Sequence, residues 1–272
     1  MANYNGGTIG SINEPLGTTS GSYTLREQSF YNRTGSWPSN LVTSGLILNL
    51  DAGNTNSYPG TGTTWTDLSG NGNDSTLSNG PAFSSADGGS IVTDGSNDSV
   101  NIPTNFFSFP SITAFTIEVW FKSTQTNGGT IFGQQSGSYS PASASGYVPV
   151  IYLKSNGQIR VEPFWTGSVN NSIVSSSSSL NDGNWHNIIT TFGSGTNKLY
   201  IDGSYNSQQT GLTLTNFTTT YYYIIGAGKA GGRSLGSDFY SGNTSIFRFY
   251  ENELTAAEVT QNYNALKGRY GL

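Results

Sequence analysis

Among 16 acidic residues, one histidine and no cysteine, the chemistry open to this chain is that of carboxylates and hard oxygen ligands. Glycoside hydrolysis needs two carboxyl groups, roughly 5 Å apart in retaining enzymes and farther apart in inverting ones. On a strand such a pair falls at i and i+2 or i+4 of one face. The most strongly patterned stretch, FTIEVWFK at 115–122, holds Glu118 alone, with Thr116 and Trp120 beside it on the same face. No second acid accompanies it, so no enzyme activity is expected.

Two loops carry metal-ligating residue types. DLSGNGND, 67–74, begins like a calcium loop, with Asp67, Ser69 and Asn71 at alternate positions and Gly72 next. An EF-hand requires a bidentate Glu at its twelfth position, where Ser78 stands, so a Gly/Asn turn with left-handed backbone is expected instead. The string 94–98, DGSND, brings Asp94, Asn97 and Asp98 within five residues. It reads chiefly as a tight hairpin turn. Calcium is the alternative, with Asp94 and Asp98 as its best ligands; no cofactor is required. His186 can form neither a triad nor a zinc site alone, and is expected to be a hydrogen-bonded strand residue.

The aromatics, 16 Tyr, 14 Phe and 5 Trp, offer flat rings on which sugars stack. Tyr139, Tyr147 and Trp165 lie near loops and are the candidate glycan platforms, with core or interface packing as the competing assignment.

These residues must be positioned by strands. In 115–122, Phe115, Ile117, Val119 and Phe121 share one face, and Thr116, Glu118, Trp120 and Lys122 the other. That alternation specifies a central strand whose inner face is core and whose outer face lines a groove. Further strands are expected after Leu41, with hairpins between 150–154 and 158–164 and within 184–203, a loop at 175–179 and a tight turn at Asp202–Gly203. Turn signals recur about every ten residues, which indicates an all-β, two-sheet jelly-roll sandwich. The chain closes with a helix: Thr255 and Glu258 form a capping box, Leu254 and Val259 a hydrophobic staple, and Val259, Tyr263 and Leu266 an apolar stripe that Gly268 ends.

Residues 1–40 are different. The first two dozen are Gly, Ser, Thr and Asn with scattered apolar residues and cannot bury a core. A short helix over 25–33 is expected to follow, capped by Thr24 and Glu27 and ended by Gly35 and Pro38. This segment is expected to be an extended anchoring arm that orders on a partner, through Leu25, Phe30, Tyr31 and Trp37. MANYNGGTIG has neither a basic start nor an apolar run, so no secretory signal is expected. With 10% charged residues and a net charge of −5, nucleic acid and membranes are not expected partners.

Five motifs in order, WTDLSGNGND, TDGSNDSV, FTIEVWFK, NWHNIITTF…NKLYIDG and SIFRFYENELTAAEVTQNYNALKGRYG, together resemble a concanavalin A-like lectin/glucanase domain of the laminin G-like type. The resemblance covers 41–272. It implies that fold, a calcium at the sandwich rim in many members, and a Glu-x-Asp-x-x-Glu strand in the glucanase branch. FTIEVWF departs from that strand. The closing helix and the segment carried by Leu25, Arg26, Glu27, Gly35, Trp37 and Pro38 are similar to structural proteins of tailed phages infecting marine bacteria. The resemblance implies a non-enzymatic virion protein, a capsid decoration or a tail fibre component. It would be homo-oligomeric, held to other virion proteins by residues 1–40, displayed on the particle surface and in contact with host surface glycans. A carbohydrate-binding adhesion module of a bacterial surface protein is the alternative.

Overall fold

In the computed structural model the described residues are 41–104, 106–168, 173–174, 179–231 and 235–272. The expected arm, its helix over 25–33 and the anchoring residues Leu25, Phe30, Tyr31 and Trp37 lie outside them, as does most of the 175–179 loop.

Sixteen strands and a helix are described. They begin with β1 (Leu46–Asp51), β2 (Thr64–Trp65), β3 (Ser75–Ser78), β4 (Ala82–Ser84), β5 (Ser90–Asp94) and β6 (Ser99–Ile102). Then come β7 (Ala114–Lys122), β8 (Gly129–Gln135), β9 (Tyr147–Leu153), β10 (Ile159–Val161), β11 (Ile173–Val174) and β12 (Trp185–Gly193). Last are β13 (Thr196–Ile201), β14 (Ser204–Gln209), β15 (Tyr222–Ile225), β16 (Ser241–Tyr250) and the helix α1 (Ala256–Leu266). They form two antiparallel sheets. The first runs β14-β13-β12-β7-β16-β5-β4, with β1 paired to the far half of β16, and the second β11-β10-β9-β8-β15-β6-β3-β2.

The patterned stretch is β7, at the centre of the first sheet, with Val119 opposite Ile188 of β12 and Phe247 of β16. Its apolar face, Phe115 through Phe121, enters the core between the sheets. Ring stacking fills that core: Phe107 on Phe249 at 4.6 Å, Phe115 on Phe192 at 5.3 Å. Each such side chain contributes about 1.5–3 kcal/mol by leaving water. Both expected hairpins form, Leu153 pairing with Ile159 and Thr190 with Leu199. The β12–β13 turn has Ser194 and Gly195 at φ 48° and 70°, the paired positive values of a type I′ turn that matches strand twist.

The other face of β7 does not line a groove. Thr116, Glu118 and Trp120 are fully buried, because α1 and the chain after it cover the outer face of the first sheet. The capping box forms: Thr255 Oγ1 accepts the Glu258 N–H, and Glu258 Oε2 accepts the Thr255 N–H. Leu254 and Val259 share one buried cluster, as a staple would place them. Beyond Leu266 the chain continues as a 3-10 turn, Lys267–Tyr270, passing through Gly268; the left-handed residue that ends it is Gly271 at φ 76°. That extra turn carries Tyr270 onto Trp120, whose ring lies 4.3 Å from it and 5.6 Å from Tyr263 on the helix. The Asp202–Gly203 turn packs against the same helix: a Cβ on Gly203 would stand 2.6 Å from the Tyr263 ring, so glycine is needed there.

Candidate functional site

Glu118, the carboxylate of the central strand, is not available to a ligand. Its Oε1 accepts from Trp120 Nε1 and Asn187 Nδ2, each at 3.2 Å. Its Oε2 accepts from Arg248 Nη1 at 3.3 Å and Asn262 Nδ2 at 3.2 Å. Four donors saturate a fully buried carboxylate, which makes it a structural hub between β7, β12, β16 and α1.

The outer face of the second sheet is where polar side chains meet open space. Alternation sends Leu77, Val100, Ile102, Tyr223 and Ile225 into the core. The intervening Ser78, Ser99, Asn101 and Tyr222 therefore point outward. Ser78, Ser99 and Asn101 line the floor of a groove of about 270 Å³. Asn101 Nδ2 donates to Ser78 Oγ at 2.8 Å, and Ser99 Oγ to Asn101 Oδ1 at 3.2 Å, so the floor is held in register. Tyr139, Ser140 and Pro141 form one wall, Ala227 and Phe239 another, and the exposed Asn79 and Asn97 the open end. Tyr139 is fixed by its hydroxyl, which donates to the Ile102 carbonyl at 2.6 Å, and by edge-on packing against Tyr222 at 4.9 Å. Amides and hydroxyls beside a rigid aromatic edge can match the donor–acceptor hydroxyls and apolar face of a sugar. A larger hollow of about 470 Å³ at the end of the sandwich, bounded by Phe192, Leu212 and Glu253, has no amide side chain in its lining. Its only carboxylate, Glu253, is tied to Lys198 at 2.7 Å.

Of the three candidate rings, Tyr139 is in the groove. Tyr147 lies on the same outer face, opposite Gln135, which in turn faces Tyr222, so about 10 Å of sheet separates Tyr147 from Tyr222. Its ring is occupied by Lys229, whose ammonium sits 5.7 Å above it and donates to the Ala144 carbonyl at 2.9 Å. Trp165 stands apart, edge-on to Phe217 at 6.1 Å and packed against the main core. Sequence reasoning missed Ser78, Ser99 and Asn101 of the floor and Tyr222, which packs on Tyr139, although all hold outward positions in alternating strands.

Asp94, Asn97 and Asp98 form the β5–β6 turn. Asp94 Oδ1 accepts the Ser96 N–H at 2.8 Å, Asp98 Oδ2 accepts the Asp94 N–H at 3.1 Å, and the Asn97 carbonyl accepts Asn79 Nδ2 at 2.9 Å. The backbone N–H of Ser96 holds the Asp94 pKa below the usual carboxylate value, whereas burial, with the charge of Asp94 added, raises that of Asp98. Asp94 Oδ1 and Asp98 Oδ2 are thus turned onto backbone N–H groups of the loop itself, and the Asn97 carbonyl onto the Asn79 side chain, the arrangement of a tight turn. Among the described residues no three His, Cys, Asp or Glu side chains gather where a metal could sit. The 67–74 loop is likewise a turn: Asp67 accepts the Asn49, Ser69 and Asn73 N–H groups, and Gly70 and Gly72 are left-handed.

His186 is clamped between two carboxylates, Nδ1 at 2.9 Å from Asp202 and Nε2 at 3.2 Å from Asp182. Burial alone would lower its pKa; the hydrogen bond and charge of Asp202, then those of Asp182, outweigh burial and raise it. The clamp secures the turn on which α1 rests. It is structural.

The sequence profile of the concanavalin A-like lectin/glucanases superfamily matches residues 94–260. No curated protein sequence matches the chain. Among solved structures, domain 4 of the extracellular arabinanase AbnA from Geobacillus stearothermophilus, in complex with arabinotriose, superposes with a TM-score of 0.51 at 18% identity, over 81% of this chain and 98% of that one. The binding domain of Paraclostridial mosquitocidal protein 1 gives 0.57 at 17% identity, over 81% of this chain and 52% of its own. Trypanosoma rangeli sialidase in complex with the inhibitor DANA gives 0.57 at 14% identity, over 88% of this chain and 36% of the enzyme. At these identities the likeness is one of fold.

Proposed function

The chain belongs to the concanavalin A-like lectin/glucanases superfamily, and we propose that it is a non-enzymatic glycan-binding domain that uses the groove on the outer face of its second sheet. The observation that carries this reading is the meeting of the Asn79, Asn97 and Asn101 amides with the fixed Tyr139 ring in one open depression. Support comes also from the arabinanase domain of the same fold, solved with arabinotriose. The buried, saturated Glu118 argues against hydrolysis. The test is a glycan array probed with the full chain and with Tyr139→Ala. The parent is expected to retain specific glycans and the variant to bind them about tenfold more weakly, the worth of one aromatic contact. Equal binding by both proteins would place recognition elsewhere.

In the same reading the sandwich is displayed on a phage particle as a homo-oligomer, anchored through residues 1–40 to capsid or tail proteins, with its groove turned to host glycans. The arm's composition and the segment from Leu25 to Pro38 support that placement. Limited proteolysis checks it. Residues 1–40 should be cut rapidly in the isolated protein and be protected in assembled particles. An arm that resists cleavage when free would instead favour the self-contained adhesion module of a bacterial surface protein.

A further inference from the structure

We propose that Gln135 is the positioning residue of the groove, a buried brace that ties its two walls together and presents Tyr139 to a ligand; the inference rests on the glycan-binding reading above. Gln135 is the last residue of β8, in register with Tyr222 on one side and Tyr147 on the other. It therefore stands on the outer face of the second sheet, yet its side chain is fully buried. Its Nε2 donates to the Ser138 carbonyl at 2.7 Å, and its Oε1 accepts the Lys229 N–H at 3.2 Å. One neighbour only accepts and the other only donates, so the amide has a single productive orientation.

Each of those bonds reaches a different wall. The Ser138 carbonyl belongs to the peptide bond that enters Tyr139, the aromatic wall. Lys229 follows Ala227 and Gly228 in the chain, and Ala227 lines the opposite wall. That opposite wall has anchors of its own on β8: the Gly226 N–H donates to the Ile131 carbonyl at 2.9 Å, and Thr130 Oγ1 donates to the Gly228 carbonyl at 2.8 Å.

The aromatic wall is a loop and depends more on the brace. Its neck is closed where the Ser136 N–H donates to the Gly146 carbonyl at 2.9 Å, but Tyr139 lies out along the loop. The ring end of Tyr139 is fixed by the Ile102 carbonyl and by Tyr222. Gln135 fixes the backbone end. A side chain gripped at both ends keeps one orientation before the ligand arrives, so less ordering is left to be done on binding. The Lys229 ammonium also reaches this loop, at the Ala144 carbonyl, but from a half-buried side chain and well along the loop from Tyr139.

Two variants of the full chain test this. Gln135→Met keeps the length of the side chain and removes both hydrogen bonds. Hydrogen exchange should show the Lys229 amide about tenfold less protected, and titration calorimetry with a glycan retained on the array should show about tenfold weaker binding. Gln135→Glu supplies a readout that loss of stability alone would not move. In its neutral form, favoured by burial, the new carboxyl donates to the Ser138 carbonyl and accepts from Lys229; once ionised it has no proton for Ser138. Its affinity should therefore match the parent's near about pH 5 and fall about tenfold below it by about pH 8. A ratio to the parent that stays flat with pH, or a Gln135→Met protein that binds as tightly as the parent, overturns the positioning role. A Lys229 amide as protected in Gln135→Met as in the parent overturns the brace itself. If no glycan binds the parent, the glycan reading falls, and protection of the Lys229 amide still decides whether the walls are braced.

Discussion

Glu118→Ala is expected to lower folding stability by about 3–5 kcal/mol, the usual cost of breaking a buried ion pair from one side. The variant strips the carboxylate from Nη1 of Arg248, only 2% exposed, whose Nε donates to Asn49 Oδ1. It also orphans the donors of Trp120 and Asn187 and leaves Asn262 Nδ2 with the Tyr250 hydroxyl. Glu118→Gln is no benign control, because every group facing the carboxylate is a donor and the new amide nitrogen would meet one of them. Glu118→Gln therefore cannot separate hydrolase from binder; any loss of function would report the fold. Denaturant midpoints at constant m-value give the measurement. A Glu118→Ala midpoint equal to the parent's would show that α1 does not depend on this network.

Arg269→Ala should cost a comparable amount, about 3–5 kcal/mol, for a related reason. Arg269 grips Asp51 of β1 with two hydrogen bonds, Nη1 to Oδ1 at 2.6 Å and Nη2 to Oδ2 at 2.9 Å. Both side chains are almost wholly buried. Burial alone would raise the Asp51 pKa, but Arg269 outweighs it and holds the carboxyl below the ordinary value. A depressed folded pKa contributes stability that is complete above the unfolded value, about 3.9, and is lost as pH falls through the folded one. The parent should therefore lose stability below about pH 4 along a slope that Asp51→Asn flattens. Arg269→Ala should also free the last turn, so that Tyr270 leaves Trp120, tryptophan emission shifts to the red and proteases reach residues 255–272 first. Unchanged emission would show that aromatic packing alone holds the tail.

Much of this architecture was legible in the residues. Alternation marked β7, the break between 150–154 and 158–164 and the Asp202–Gly203 pair marked turns, and Thr255 with Glu258 marked the helix start, because each is a local preference of backbone and cap. The groove was half legible. Tyr139 was named as a candidate, but the run Tyr221–Tyr222–Tyr223 offers rings to both faces, and only the register with Gln134 and Gln135 turns Tyr222 outward. Trp165 looked equally exposed until Phe217, more than 50 residues on, packed against it.

By itself the sequence determined an all-β sandwich sealed by a C-terminal helix, and the absence of a second carboxylate beside Glu118. Period-two patterning and turn chemistry depend only on neighbours along the chain. Only the tertiary structure decided which polar residues meet water. Glu118 and Trp120 have the outward pattern of a groove and are buried, while Ser99 and Asn101 have the same pattern and are the floor of one. The difference lies in what covers each face: α1 and the turn after it lie over the first sheet, whereas the Asn79 end of the second opens into the groove. Coverage by a segment more than a hundred residues away leaves no mark in the local pattern of the strand it covers.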